Sequence, residues 1–348
     1  MSLAEREALL TRWAIESAER HGRPARADAL SPVSGDASFR RYFRLPCAQG
    51  TLIAVDAPPD KETLQPFVAI ARALRESGLH APEVIAADHG QGLMLLEDFG
   101  DRLLRPALDD SSVDALYELA MRELVRMQDV TEVYGYRLPP YDRTRLLTEM
   151  SLFRDWFVKV HLGLELTPEE IAVLDRACER IADDNLEQPT VFVHRDYHSR
   201  NLMLLDDGSL GVIDFQDAVT GPVTYDLVSL LRDAYVVWPE ARVRGWALRF
   251  ARLLRDERRL DVGDAEFLRW FDWMGAQRHL KVVGIFARLC HRDGKRGYLD
   301  DIPRVFNYLL AEIRAYPELA PLDALLRERI LPAWLALAPD ARAQLTAL

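Results

Sequence analysis

The segment Val191-Phe192-Val193-His194-Arg195-Asp196-Tyr197-His198-Ser199-Arg200-Asn201, followed by Gly211-Val212-Ile213-Asp214-Phe215-Gln216, constrains this 348-residue chain more than any other. An apolar run of strand type leads into it, and Asp196 stands on the loop that follows. Two further strand-like runs, 201–205 and 210–213, are joined by Asp207-Gly208, the dipeptide of a tight hairpin turn. A hairpin of that length returns Asp214 to the end it started from, beside Asn201. An amide oxygen and a carboxylate at one end suit a hard cation such as Mg²⁺, which takes oxygen ligands. The loop carboxylate of Asp196 is placed to act as a base.

The rest of the chain changes character along its length. Residues 2–21 read as a helix that starts on a Ser2/Glu5 capping box and stops at Gly22. Three short strand-like runs follow at 29–33, 39–45 and 51–55, then a helix over 62–77 and a buried strand at 93–96. Glu97-Asp98-Phe99-Gly100 cuts that strand off, and 99–104 reads as a linker. Beyond it the periodicity is helical, at 111–130, at 144–163, from the Thr167-Pro168-Glu169-Glu170 start, and everywhere after Asp226. The expectation is an α+β fold. Residues 1–100 form a small mixed α/β N-lobe with an antiparallel sheet, and 101–348 form a large, mainly helical C-lobe carrying the hairpin. A cleft between them is the expected ligand site.

Composition narrows the partners. The charge is 44 − 55 = −11, which argues against non-specific nucleic-acid binding. Cys47, Cys178 and Cys290 are sparse, odd in number and without metal-ligand spacing, as expected of reduced thiols. No apolar run reaches membrane-spanning length, and the N-terminus lacks the look of a signal peptide. A cytoplasmic protein with a small-molecule partner, and no membrane partner, is the expectation.

The pattern H-x-D-x-x-x-x-N followed by D-F-x resembles the kinase signature. His198, where protein kinases usually place lysine, together with Gly221-Pro222 and Tyr225-Asp226-Leu227, resembles the aminoglycoside phosphotransferase/choline kinase superfamily. That resemblance implies a protein-kinase-like two-lobed fold using ATP and Mg²⁺. It implies Asp196 as catalytic base, Asn201 and Asp214 as metal ligands, and a structural role for Asp226. His194 reads as a brace for the loop. The turn Ser34-Gly35-Asp36-Ala37-Ser38-Phe39-Arg40 stands where the family folds a hairpin over the phosphates, so Gly35, Asp36, Ser38, Phe39 and Arg41 are candidate nucleotide contacts. Glu97 and Phe99 stand at the hinge, where backbone groups would meet adenine.

One position departs from the pattern. Ile53-Ala54-Val55-Asp56 puts an aspartate where kinases carry the V-A-I-K lysine. A carboxylate beside phosphates repels them. Either Arg41, Arg44 or Lys61 replaces the missing cation, or Asp56 points elsewhere. A nucleotide-binding pseudokinase is the alternative this residue raises, and the intact Asp196, Asn201 and Asp214 argue against it.

The acceptor is approached through charge. Residues 278–296 are basic in an acidic chain, and Arg278, Lys281, Arg288 and Arg292 fall on one helix face. Such a stripe suits an anionic acceptor better than a polycation. Gly35–Arg44, Asp56-Ala57-Pro58-Pro59, Leu95–Asp101 and Gln277–Val282 resemble the anomeric N-acetylmuramate/N-acetylglucosamine kinases of bacterial cell-wall recycling. The resemblance implies an amino-sugar substrate phosphorylated at its anomeric hydroxyl to the α-1-phosphate. Arg278 and Lys281 are then candidates for the lactyl carboxylate. Arg232 and Asp233 either line the sugar pocket or pair within the fold. Another small hydroxylated acceptor, such as an aminoglycoside, a macrolide or a choline-like compound, is the competing expectation.

Overall fold

The structure is a computed structural model that describes residues 2–33, 40–257 and 260–345. Five strands form one antiparallel sheet in the order β1-β2-β3-β5-β4. They are β1 (Ser31–Pro32), β2 (Arg41–Pro46), β3 (Thr51–Asp56), β4 (Val84–Asp88) and β5 (Leu93–Glu97). Four shorter strands pair two by two, β6 (Thr190–Val193) with β9 (Val219–Pro222), and β7 (Leu202–Leu204) with β8 (Leu210–Val212). By contact the chain divides into two compact units, one of 1–138 with 200–218 and one of 139–199 with 219–348.

In the first unit, α1 (Leu3–Arg20) opens on the expected capping box and closes ahead of Gly22. Its Leu10, Ala14 and Ala18 pack on Phe43 and Leu45 of β2, Leu52 and Ala54 of β3, and Leu93 and Leu95 of β5. That is the every-second-residue face of a sheet half covered by a helix. The register pairs Phe43 with Ala54 and Arg41 with Asp56, so both charged residues belong to the face beneath α1. α2 (Gln65–Glu76) lies between β3 and β4 in sequence, and α3 (Val113–Gln128) follows the sheet. The β7–β8 hairpin is flanked on both sides. Leu103 bridges Met203, with the Leu104 N–H donating to the Leu202 carbonyl at 2.7 Å, and His80 bridges Gly211, with the Val212 N–H donating to the His80 carbonyl at 2.8 Å. These pairings place 200–218 with the first unit by contact, whereas the sequence reading drew its boundary at residue 100.

The second unit is built around α8 (Asp264–Asp293), a 30-residue helix whose residues 270–284 are all buried. Packed against it are α4 (Arg143–Leu152), α5 (Pro168–Glu187), α6 (Tyr225–Leu231), α7 (Glu240–Asp256) and α9 (Ile302–Arg314). α5 begins at Thr167 with a capping box and Pro168, as its sequence predicts. The helix expected over 144–163 is not uniform: α4 gives way to a π-helical stretch, Phe153–His161. At that junction α8 comes so close that a Cβ on Gly284 would sit 2.3 Å from the Leu152 carbonyl carbon. Widened turns of this kind mark helices that adapt to a neighbour. Strands β4 and β9 were not anticipated. No helix among the described residues is long and apolar enough to cross a membrane.

Candidate active site

Two non-glycine residues of the described chain have left-handed backbone angles, Arg195 (φ 78°) and Asp214 (φ 65°). Such strain persists only where the surroundings enforce it, and it gathers at working sites. At Arg195 the enforcement is visible. Buried Asp226, on α6, accepts the His194 N–H at 2.6 Å and the Arg195 N–H at 3.0 Å. Burial pushes the Asp226 carboxyl up to about 7, opposed by the His194 N–H, the Arg278 charge and the Arg195 N–H. The buried His194 ring accepts the Asp196 N–H through Nδ1 at 3.2 Å. At the far end of the loop, buried Asp233 accepts both the N–H (3.0 Å) and the hydroxyl of Ser199, and also the Tyr235 N–H at 2.8 Å. Two internal aspartates thus pin the loop that carries Asp196.

The Asp196 side chain is 45% exposed, and Arg278 Nη2 stands 3.7 Å away. Arg278 Nη1 is engaged by the Arg195 carbonyl at 2.8 Å and the Tyr225 hydroxyl at 3.1 Å. Lys281 donates to the same hydroxyl at 2.8 Å and lies 3.2 Å from Glu149, which also pairs with Arg195. Desolvation would raise the Asp196 carboxyl, but the charges of Lys281, Arg278, His198 and Arg195 outweigh it and hold the group well below the usual carboxylate range. Arg278 and Lys281 are therefore buried beside the loop, while farther along the stripe Arg292 is exposed and bonded to Asp293. Arg232, also buried, donates to Asp272, Glu312 and Glu240, each at 2.8 Å. Of the two alternatives for Arg232 and Asp233, internal pairing is the one the contacts fill.

Asn201 and Asp214 meet in the first unit, at one end of the β7–β8 hairpin. The Asn201 amide donates to Asp214 Oδ2 at 3.2 Å, and Gln216 donates to Oδ1 at 2.8 Å. The ring of Phe215 packs against Phe67 of α2, centroids 4.8 Å apart. Among the described residues no group of three or more His, Cys, Asp or Glu side chains could hold a metal. An amide oxygen and one carboxylate do fit Mg²⁺, which keeps phosphate and water oxygens in its other positions.

Asp56 points elsewhere. Fully buried beneath α1, its Oδ1 accepts Arg6 Nε at 2.7 Å, and its Oδ2 accepts Arg41 Nε at 3.0 Å and Nη2 at 2.6 Å. Arg41 is thus engaged on the α1 face. Arg44 is held by Asp98 at 2.6 Å and Asp101 at 2.9 Å, and Lys61 is exposed, 3.7 Å from Asp60. Sequence reasoning passed over Arg40, a buried arginine whose Nε lies 2.6 Å from Glu62. The signal was available, because alternation sends neighbours 40 and 41 to opposite faces. At the expected hinge, the Glu97 N–H donates to the Glu83 carbonyl at 2.9 Å, and its carboxylate accepts the Glu83 N–H and Arg75, each at 3.1 Å. The Phe99 ring lies so near β8 that a Cβ on Gly211 would be 2.6 Å from it, and a larger residue there would have to push the ring aside. Gly35, Asp36, Ser38 and Phe39 lie outside the described residues.

The model of the phosphotransferase enzyme family (APH) matches residues 29–271. An N-acetylmuramate/N-acetylglucosamine kinase of Pseudomonas aeruginosa is 47% identical, covering 85% of this chain and 87% of that protein. One of the same name from Neisseria meningitidis is 43% identical, covering 88% and 92%. An ethanolamine kinase of Plasmodium vivax shares the fold at a TM-score of 0.60 with 11% identity, over 80% of each chain. With a family match over more than half its length and relatives of this identity along most of it, the chain belongs to the phosphotransferase enzyme family and is a kinase.

Proposed function

We propose that this kinase transfers the γ-phosphoryl group of ATP to the anomeric hydroxyl of N-acetylmuramate and N-acetylglucosamine, giving the α-1-phosphate. The observation that carries the acceptor is the 47% identity with a relative of that name. Asp196 orients the sugar's 1-hydroxyl and accepts its proton as the sugar oxygen bonds to phosphorus and the bond to the β-phosphate oxygen breaks. A carboxylate held so far below its usual range is a weak base. It suits a loose transition state, in which orienting the nucleophile matters more than early proton removal. Asn201 and Asp214 hold Mg²⁺, which when bound neutralises charge on the phosphates.

The backbone of 34–39 and the hinge groups of Glu97 and Phe99 serve the nucleotide, within an N-lobe of 1–100. The C-lobe, 101–348, supplies the acceptor side. Arg278 and Lys281 give it a positive field next to Asp196, which favours an acceptor bearing a carboxylate. Arg232 and Asp233 support that wall from within. ATP as donor and three cysteines without a disulfide fit a cytoplasmic setting.

Phosphorus NMR of the product from ATP, Mg²⁺ and N-acetylmuramate tests the reading: a sugar phosphate coupled to the anomeric proton is expected. A phosphate on another hydroxyl would refute the position of transfer. ADP release with an aminoglycoside or choline, but with neither amino sugar, would refute the acceptor.

A further inference from the structure

A kinase needs a cation on the donor phosphates, normally a strand lysine held by a glutamate. In this chain the strand position is Asp56, and its carboxylate is turned under α1 to Arg6 and Arg41. The three cations considered from sequence each pair with a nearby carboxylate. Arg41 is on Asp56, Arg44 is on Asp98 and Asp101, and exposed Lys61 lies 3.7 Å from Asp60.

Arg40 is placed differently. It is 7% exposed, and its Nε lies 2.6 Å from Glu62, on the segment leading into α2. Its guanidinium lies over the Phe67 ring, 6.0 Å from the centroid, and Phe67 packs at 4.8 Å on Phe215, the neighbour of Asp214. Through Phe67 and Phe215 the arginine is linked to the corner where Asp214 and Asn201 meet, and it feels the Asp214 charge. Burial disfavours its charge, but Tyr42, Glu62 and Asp214 more than compensate, so the cation is kept. A guanidinium carries five N–H donors in a rigid fork, so gripping Glu62 through one edge is compatible with offering another to phosphate oxygens.

We propose that Arg40 binds the donor phosphates in place of the lysine that β3 lacks, with Glu62 holding it in register. This rests on the kinase reading above. It assigns to an arginine just ahead of β2, and to a glutamate ahead of α2, the pair that kinases otherwise build from a third-strand lysine. A plain internal ion pair tying β2 to α2 is the competing account, and the two differ in which part of the nucleotide they affect.

The test is binding of adenosine and of Mg-ADP to the full chain, wild type and variants, by titration calorimetry with a thermal melt of each. Arg40→Met keeps a long apolar side chain and removes the charge. It should weaken Mg-ADP by roughly 10- to 100-fold while leaving adenosine within about two-fold. Arg40→Lys should recover part of the loss. If Arg40→Met melts too early to use, Glu62→Gln keeps the cation but loosens it, and a several-fold loss for Mg-ADP alone is expected. Equal effects on both ligands, or none on either, would overturn the assignment of Arg40. A wild type that turns over amino sugar beside an unimpaired Arg40→Met overturns Arg40 alone. A wild type that binds Mg-ADP no better than adenosine overturns the kinase reading with it.

Discussion

Two aspartates, Asp56 under α1 and Asp196 on the loop after β6, each sit among arginines or lysines, and only one keeps its side chain partly exposed. Asp56 is fully buried, with both oxygens taken by forked bonds from Arg6 and Arg41. Asp196 keeps 45% of its side chain exposed, and Arg278 stays 3.7 Å off because its other nitrogen is bonded to the Arg195 carbonyl and Tyr225. The difference teaches how one kind of side chain serves two ends. Cations brought into full contact make a carboxylate part of the framework. Cations tethered by other partners leave it charged and reachable.

Removing Asp196's charge should give the largest effect. Asp196→Asn keeps the size and loses the base, so kcat should fall by about 10²–10⁴-fold. Mg-ADP affinity, read by calorimetry, should stay near wild type because the proposed nucleotide contacts lie on other residues. Wild-type kcat in this variant would break the comparison, since Asp196 would then be framework like Asp56.

The converse change is next. Asp56→Ala leaves Arg6 and Arg41 without the carboxylate they converge on, in a place where α1 meets the sheet. Orphaning buried charge costs about 3–5 kcal/mol. Both arginines are partly exposed and can turn to water, so roughly 2–4 kcal/mol is expected in urea unfolding. The kcat of the folded fraction should hold within about three-fold, a change of under 1 kcal/mol. A stable variant with a collapsed kcat would place Asp56 in the chemistry.

Much of this was legible in the sequence, for local reasons. The Asp207-Gly208 turn and the short runs beside it fix the hairpin register, Leu202 opposite Val212, and register alone brings Asn201 back to Asp214. The α+β division and the capping boxes at Ser2 and Thr167 depend on residues a few positions apart. What escaped depends on distance along the chain. β4 is a weakly apolar edge strand with a bulge near Val84, and β9 pairs with β6 across some thirty residues, so neither has a strong local signature. Arg6 finds Asp56 fifty positions away, and the helical wheel that aligned Arg278 with Lys281 could not show that this face is turned inward. Arg40 was hidden by its neighbour: two adjacent arginines look interchangeable until the strand sends them to opposite faces.

Lys281 gives the finest test of the contrast, through pH. On the proposed mechanism activity needs Asp196 ionised, and in the wild type the surrounding cations hold its carboxyl well below the usual range, so the group stays charged as pH falls through values where an ordinary aspartate is titrated. By linkage, the stability this depressed carboxyl contributes is present above its unfolded pKa and is lost only as pH falls through the lower folded value. Lys281→Met removes the largest of the opposing charges, which must move the folded pKa up towards the ordinary one. The acid limb of kcat/KM should therefore shift to higher pH, towards about pH 4, where ordinary aspartates titrate. At neutral pH the variant should lose little in kcat, because Arg278 and Arg195 remain and Glu149 keeps Arg195 as a partner. The wild type should show no such limb. An unshifted limb in Lys281→Met would mean that Asp196 does not feel this lysine, and the idea of cations held back to keep a carboxylate both charged and open would lose its main support.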